Sequence, residues 1–206
     1  MRTSSLPRLL LVTGVIAASL SACDSTRQVA SESSASSVPA GPTIDESDVT
    51  FNREVTQGDY RFAVKTFGTQ EPRFVSIRSY RGSSQIMDPM RVEVTGAVTN
   101  IASGDLNGNG KPELFIMTDN KKANGGLYAY EFGERGYTPI SFPGTPGGQA
   151  GMGYTGQDMY TISGNKLVRT FPVTPIDSTM RAGNRTVEYT LDATGRLMMG
   201  QSMDAR

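Results

Sequence analysis

From residue 49 onward the chain alternates apolar and polar side chains in short bursts. Gly, Pro, Asn and Asp separate the bursts. Y-R-F-A-V-K-T-F (60–67) puts Tyr60, Phe62 and Val64 on one side. F-V-S-I-R-S-Y (74–80) and M-R-V-E-V-T-G-A-V (90–98) continue the pattern, as do E-L-F-I-M-T (113–118) and G-L-Y-A-Y-E-F (126–132). M-Y-T-I (159–162), K-L-V-R-T-F-P-V (166–173), T-V-E-Y-T-L (186–191) and R-L-M-M (196–199) complete it, with V-T-F and Val55 at its start. Side chains that alternate in this way belong to half-buried strands. No segment after residue 48 keeps a helical period. Roughly nine or ten strands at this spacing predict an all-β fold, a single antiparallel β-sandwich domain over residues 48–206. About 160 residues suffice for one core.

The front of the chain has a different texture. Arg2 and Arg8 precede a charge-free apolar run, residues 9–20, which is too short to span a bilayer. Leu20-Ser21-Ala22-Cys23 then resembles the lipobox of bacterial lipoproteins, in which the cysteine is acylated and becomes the mature N-terminus. Residues 1–22 are therefore expected to be a lipoprotein signal peptide, with Cys23 the lipid attachment site. Cys23 is the only cysteine, so it has no intramolecular disulfide partner. Residues 23–47 are rich in Ser, Ala and Pro and show no hydrophobic period. They read as a disordered tether. Such a tether of roughly 24 residues reaches about 25–30 Å. The expected location is the bacterial cell envelope, with the domain facing the periplasm or the exterior.

Charge and chemistry narrow the function classes. The chain carries 20 basic and 20 acidic side chains. Loss of Arg2 and Arg8 with the signal leaves a slight acidic excess. No basic stripe points to nucleic acid. Histidine is absent, so no His-based triad or His-ligated metal can form. The chain reads as a non-enzyme.

One loop has the look of a metal site. In S-G-D-L-N-G-N-G-K-P-E-L, Asp105, Asn107, Asn109 and Glu113 supply oxygens, and Gly110 makes the turn. An EF-hand would need a bidentate Glu at the twelfth position, where Ile116 stands. The loop is closer to the short Asp/Asn-rich loops between strands of FG-GAP and VCBS-type repeats, some of which bind calcium. Asn-Gly pairs also make hairpin turns without metal. Both a plain turn and a weak calcium site remain open at this point. The motif occurs once, which argues against a propeller of such repeats. Gly151-x-Gly153-x-x-Gly156 is formally a dinucleotide fingerprint, but it lacks the preceding strand and following helix.

The C-terminal half carries a family resemblance. Gly153-Tyr154-x-Gly156, a short strand and a turn lead to Leu167-Val168-Arg169-x-Phe171-Pro172. This order resembles the bacterial periplasmic inhibitors of invertebrate-type (I-type) lysozyme. V-T-F-N-R-E-V (49–55) is similar to that family's first strand, and D-L-N-G-N-G-K-P-E-L (105–114) to its central turn. The resemblance thus runs in order over most of residues 49–191, and it implies an all-β sandwich that plugs a lysozyme groove by loop insertion. That groove holds two carboxyl groups, which a cation or hydrogen-bond donors would occupy. The matching loop here is T-D-N-K-K-A-N-G-G-L-Y (118–128), without the family's Ser-Gly. Lys121, Lys122, Asn124 and Tyr128 are its candidate partner-binding residues. A second expectation is an interaction or structural lipoprotein that uses the same fold for another partner.

Overall fold

The computed structural model describes residues 47–119 and 126–205, all within one compact unit, Pro42–Arg206. The signal segment, Cys23, the tether up to residue 46, and Lys121, Lys122 and Asn124 lie outside the described residues.

The fold is all-β and antiparallel, as the alternation requires. Among the described residues there is no α-helix, only a 3-10 turn at Gly148–Gly151. The first sheet contains β1 (Val49–Gln57), β2 (Tyr60–Phe67), β3 (Arg73–Arg81), the two-residue β4 (Ser84–Gln85) and β5 (Met90–Val94). Both β4 and β5 pair with β3. The second sheet runs β6 (Ala97–Gly104), β7 (Glu113–Asp119), β8 (Gly126–Phe132) and β9 (Tyr137–Pro139). The third runs β10 (Met159–Ser163), β11 (Lys166–Val173), β12 (Gly183–Leu191) and β13 (Leu197–Ala205).

Each sheet is an up-and-down meander. The first strand of the second sheet, β6, lies close to the first strands of the other two, β1 and β10. Arg53 on β1 reaches across to donate to Oδ1 of Asn100 on β6.

The sandwich is built twice over, because the second sheet is covered on both faces. Leu114 and Ile116 of β7 pack with Phe62, Val64, Val75 and Ile77 of the first sheet. Phe115 and Met117, one residue out of phase, pack with Leu167, Phe171, Val187 and Tyr189 of the third. Two cores therefore share one strand, where the alternation predicts a single core. The run E-L-F-I-M-T explains this: a strand apolar on both faces is suited to a doubly covered position.

A second difference from the sequence pattern concerns M-R-V-E-V-T-G-A-V. It is two strands rather than one. Gly96, at φ +92°, breaks the run, and the chain crosses there from the first sheet to the second.

Candidate functional site

The loop expected to carry partner contacts springs from the β7–β8 hairpin, and its root is well defined. Thr118 and Gly126 are cross-strand partners. A Cβ at Gly126 would sit 2.3 Å from Oγ1 of Thr118, so a larger residue there would displace that hydroxyl. Thr118 Oγ1 donates to the Thr95 carbonyl at 2.8 Å. The Thr95 amide in turn donates to the Tyr128 hydroxyl, also at 2.8 Å. Next to it the Gly96 amide donates to Oε2 of Glu71 at 3.0 Å, and this bond holds the Glu71 carboxyl below its ordinary pKa. The sheet-crossing turn is thus braced from both sides.

This geometry revises the role of Tyr128. It belongs to strand β8, opposite Ile116, with its ring against the first core. Its hydroxyl is an acceptor for a backbone amide and not a loop-tip contact.

The Asp105 loop closes on itself. Asp105 accepts the amides of Asn109 and Gly110 at 3.1 and 2.9 Å. Asn107 Oδ1 also accepts the Asn109 amide, and Asn109 Oδ1 accepts that of Lys111. The side-chain amides of Asn107 and Asn109 both donate to Oε2 of Glu131 on β8, at 3.0 and 2.9 Å. Gly108 and Gly110 take φ +70° and +78°, which suits glycine.

Glu113 does not join that ring of donors from the solvent side. It is fully buried, and its Oε2 accepts the Leu106 amide at 2.7 Å. Its Oε1 is buried with no hydrogen-bond partner. Burial above all, then the nearby Asp105 and Glu131 carboxylates, push its pKa up to about 7. The four residues do not fit a calcium cage. Both amides are held by Glu131, and Glu113 is directed inward at a backbone N–H. Among the described residues no group of three or more His, Cys, Asp or Glu is arranged to hold a metal.

Arg169 is the largest fully buried side chain among the described residues. The alternation Leu167, Arg169, Phe171, Val173 puts its side chain on the core face of β11. Nε donates to Oδ1 of Asp158 at 2.6 Å, and Nη2 to Oδ2 at 2.9 Å and to the Tyr154 hydroxyl at 2.7 Å. Nη1 donates to the Gly144 carbonyl. The rings of Phe142, Tyr154, Tyr160 and Phe171 surround the guanidinium, their centroids 5.0–5.7 Å away. Such cation–π contacts strengthen when desolvated. Burial works against the charge, but the Asp158 hydrogen bonds hold the Arg169 pKa above its ordinary value. Burial and the hydrogen bond to Asp158 push Tyr154 up to about 12.

Arg185, from the neighbouring strand β12, complements it. It is forked onto Asp204, with Nε to Oδ1 at 2.6 Å and Nη2 to Oδ2 at 3.0 Å. Its Nη1 donates to the carbonyls of Gln149, Ala150 and Met152. The Gly/Pro segment 143–157 is therefore held on the third sheet by two arginines. A Cβ at Gly151 would lie 2.0 Å from the Pro146 carbonyl oxygen. One at Gly153 would lie 2.4 Å from that of Thr174. Two glycines of the apparent dinucleotide fingerprint, Gly151 and Gly153, thus serve close packing.

Asp158, Arg185 and Glu131 were not among the residues expected to matter. The only sequence signal was an arginine in phase with apolar neighbours on β11 and β12. Comparison with family models, with curated proteins and with solved structures found no match for this chain.

Proposed function

We propose that this protein is a lipid-anchored, non-catalytic binding protein of the bacterial cell envelope. In this reading it captures a lysozyme, of the I-type first, by inserting the β7–β8 loop into the enzyme's carboxylate-lined groove. Cys23 carries the acyl chains, and residues 24–47 give the domain its reach. The observation that carries the reading is the braced root of the loop. Thr118, Gly126 and Tyr128 fix both of its ends to the doubly covered middle sheet, which is the preorganisation an inserting loop needs. The loop itself, with Lys121, Lys122 and Asn124, supplies ammonium and amide donors suited to carboxyl groups.

The buried polar groups support a scaffold role rather than chemistry. Arg169, Asp158, Arg185 and Glu113 each hold backbone or one another, and two of the four form a fully enclosed pair.

The test is inhibition of I-type, chicken-type and goose-type lysozymes on bacterial cell walls by the exported chain carrying Cys23→Ser. Selective loss of I-type activity is expected. Full activity of all three enzymes at micromolar protein overturns the lysozyme reading. Fractionation of the wild type against Cys23→Ser tests the anchor, and a variant that stays in the membrane pellet overturns it.

A further inference from the structure

The outer face of the first sheet carries a cluster of cations that only the fold assembles. Lys65 on β2, Ser76 on β3 and Arg91 on β5 lie directly opposite one another. Arg78 lies opposite Ala63, two residues along the same face. With strands about 4.8 Å apart and residues about 3.4 Å apart along them, the three cations enclose a patch roughly 10 Å across. The floor of that patch is the small side chains of Ala63 and Ser76. Lys65, Arg78 and Arg91 are all exposed. None has an ion-pair or hydrogen-bond partner among the described residues.

Arg61, on the same face, is already committed. It pairs with Glu54 at 3.0 Å and lies over the Tyr80 ring. Glu93, two residues from Arg91 on β5, is a further acid on this face. The chain as a whole is balanced, 20 basic against 20 acidic, so the excess here is local. Such an excess of exposed cations suits an anionic surface.

We propose that this face docks on an anionic phospholipid bilayer. It rests on the anchoring reading for one thing, the delivery of the face to the membrane. The N-terminal segment outside the described residues ends at residue 46, and β1, the edge strand of this same sheet, begins at Val49. A lipid at Cys23 and a tether reaching about 25–30 Å keep the face within range of headgroup phosphates. Intramolecular docking of that kind needs only weak intrinsic affinity. Each lysine or arginine near an anionic surface strengthens association roughly fivefold.

The experiment uses the exported chain with Cys23→Ser, so that no acyl chain contributes. Its co-sedimentation with vesicles of phosphatidylcholine is compared with vesicles that also contain phosphatidylglycerol. Expected is binding to the anionic vesicles alone, lost at high salt because exposed charges are screened. Substituting Lys65→Gln, Arg78→Gln and Arg91→Gln together should weaken it roughly tenfold or more. A control with Lys111→Gln, Arg135→Gln and Arg181→Gln, also exposed, removes the same charge and should bind like the parent. Both triple variants are checked for an unchanged melting midpoint. Absence of binding to anionic vesicles, equal binding to neutral ones, or an equal loss in the control overturns the proposal. Failure of the anchor appears separately, as wild-type protein missing from the membrane fraction.

Discussion

Arg169 and Asp158 form an ion pair with Nε 2.6 Å from Oδ1, and their side chains are 2% and 0% exposed. Taking two charges out of water is costly, and the pair persists because Tyr154 and the Gly144 carbonyl satisfy further donors and acceptors. Removing one partner leaves the other charge buried and alone. Asp158→Ala is expected to cost roughly 3–5 kcal/mol in urea unfolding. Adding Arg169→Met should recover part of that loss, because the uncompensated charge goes with it. A single variant within 1 kcal/mol of wild type on the order of an exposed pair would show that the pair is not enclosed.

Glu113 makes stability depend on pH in an unusual direction for a carboxyl group. Its folded pKa is about 7 against an ordinary 4.5, chiefly through burial. Below pH 4.5 both folded and unfolded forms hold the proton. Between about 4.5 and 7 the unfolded form releases it while the folded form keeps it, so stability falls as pH rises. The loss is complete above 7 and amounts to at most about 3 kcal/mol. Glu113→Gln keeps an acceptor for the Leu106 amide and removes the charge. Its unfolding free energy should lack this slope and exceed that of the wild type at pH 8.

The Asp105 loop should be indifferent to calcium. A ligand that binds only the folded form raises the melting temperature. With its oxygens on backbone amides and its side-chain amides on Glu131, the loop is expected to show no shift at millimolar calcium in a thermal melt. Glu131→Ala should loosen it instead, by about 1–3 kcal/mol for two hydrogen bonds to a charged acceptor.

Tyr128 and the lysine pair should separate stability from binding. Tyr128→Phe removes the acceptor for the Thr95 amide and should cost about 0.5–1.5 kcal/mol of stability. Lys121→Ala with Lys122→Ala should leave stability unchanged, weaken lysozyme binding and flatten its salt dependence. Titration calorimetry and thermal melts on both variants check this. The proposed contact moves elsewhere if the lysine pair leaves affinity untouched.

The strands were largely legible because their residues alternate. Y-R-F-A-V-K-T-F shows the buried set of β2 almost residue by residue. The all-β class followed directly. The third sheet's independent core was not legible, because which strands share a sheet depends on pairings between distant segments. Nor was the break at Thr95-Gly96, since one glycine inside an alternating run looks the same in a strand as in a crossing. In the site, the Asp105 loop was readable as a turn with two candidate uses. The involvement of Glu131 was not, because it reaches the loop only through β7–β8 pairing. Arg169 stood in an apolar phase, and that phase was the one sequence sign of its burial. The patch of Lys65, Arg78 and Arg91 is scattered along the chain and appears only once β2, β3 and β5 are side by side.

Strand β7 faces an additional problem as a consequence of being covered on both sides. In an ordinary amphipathic strand, a slip of one residue exposes the apolar set to water, and burial alone forbids it. In Leu114-Phe115-Ile116-Met117 both faces are apolar, so a slipped strand would still bury its side chains. Discrimination falls to its polar ends. Glu113 is tied to the Leu106 amide on one side, and Thr118 to the Thr95 carbonyl on the other. A slip would turn each toward the opposite core without its partner. The two polar residues therefore act as stops that select a single alignment from several of comparable apolar burial.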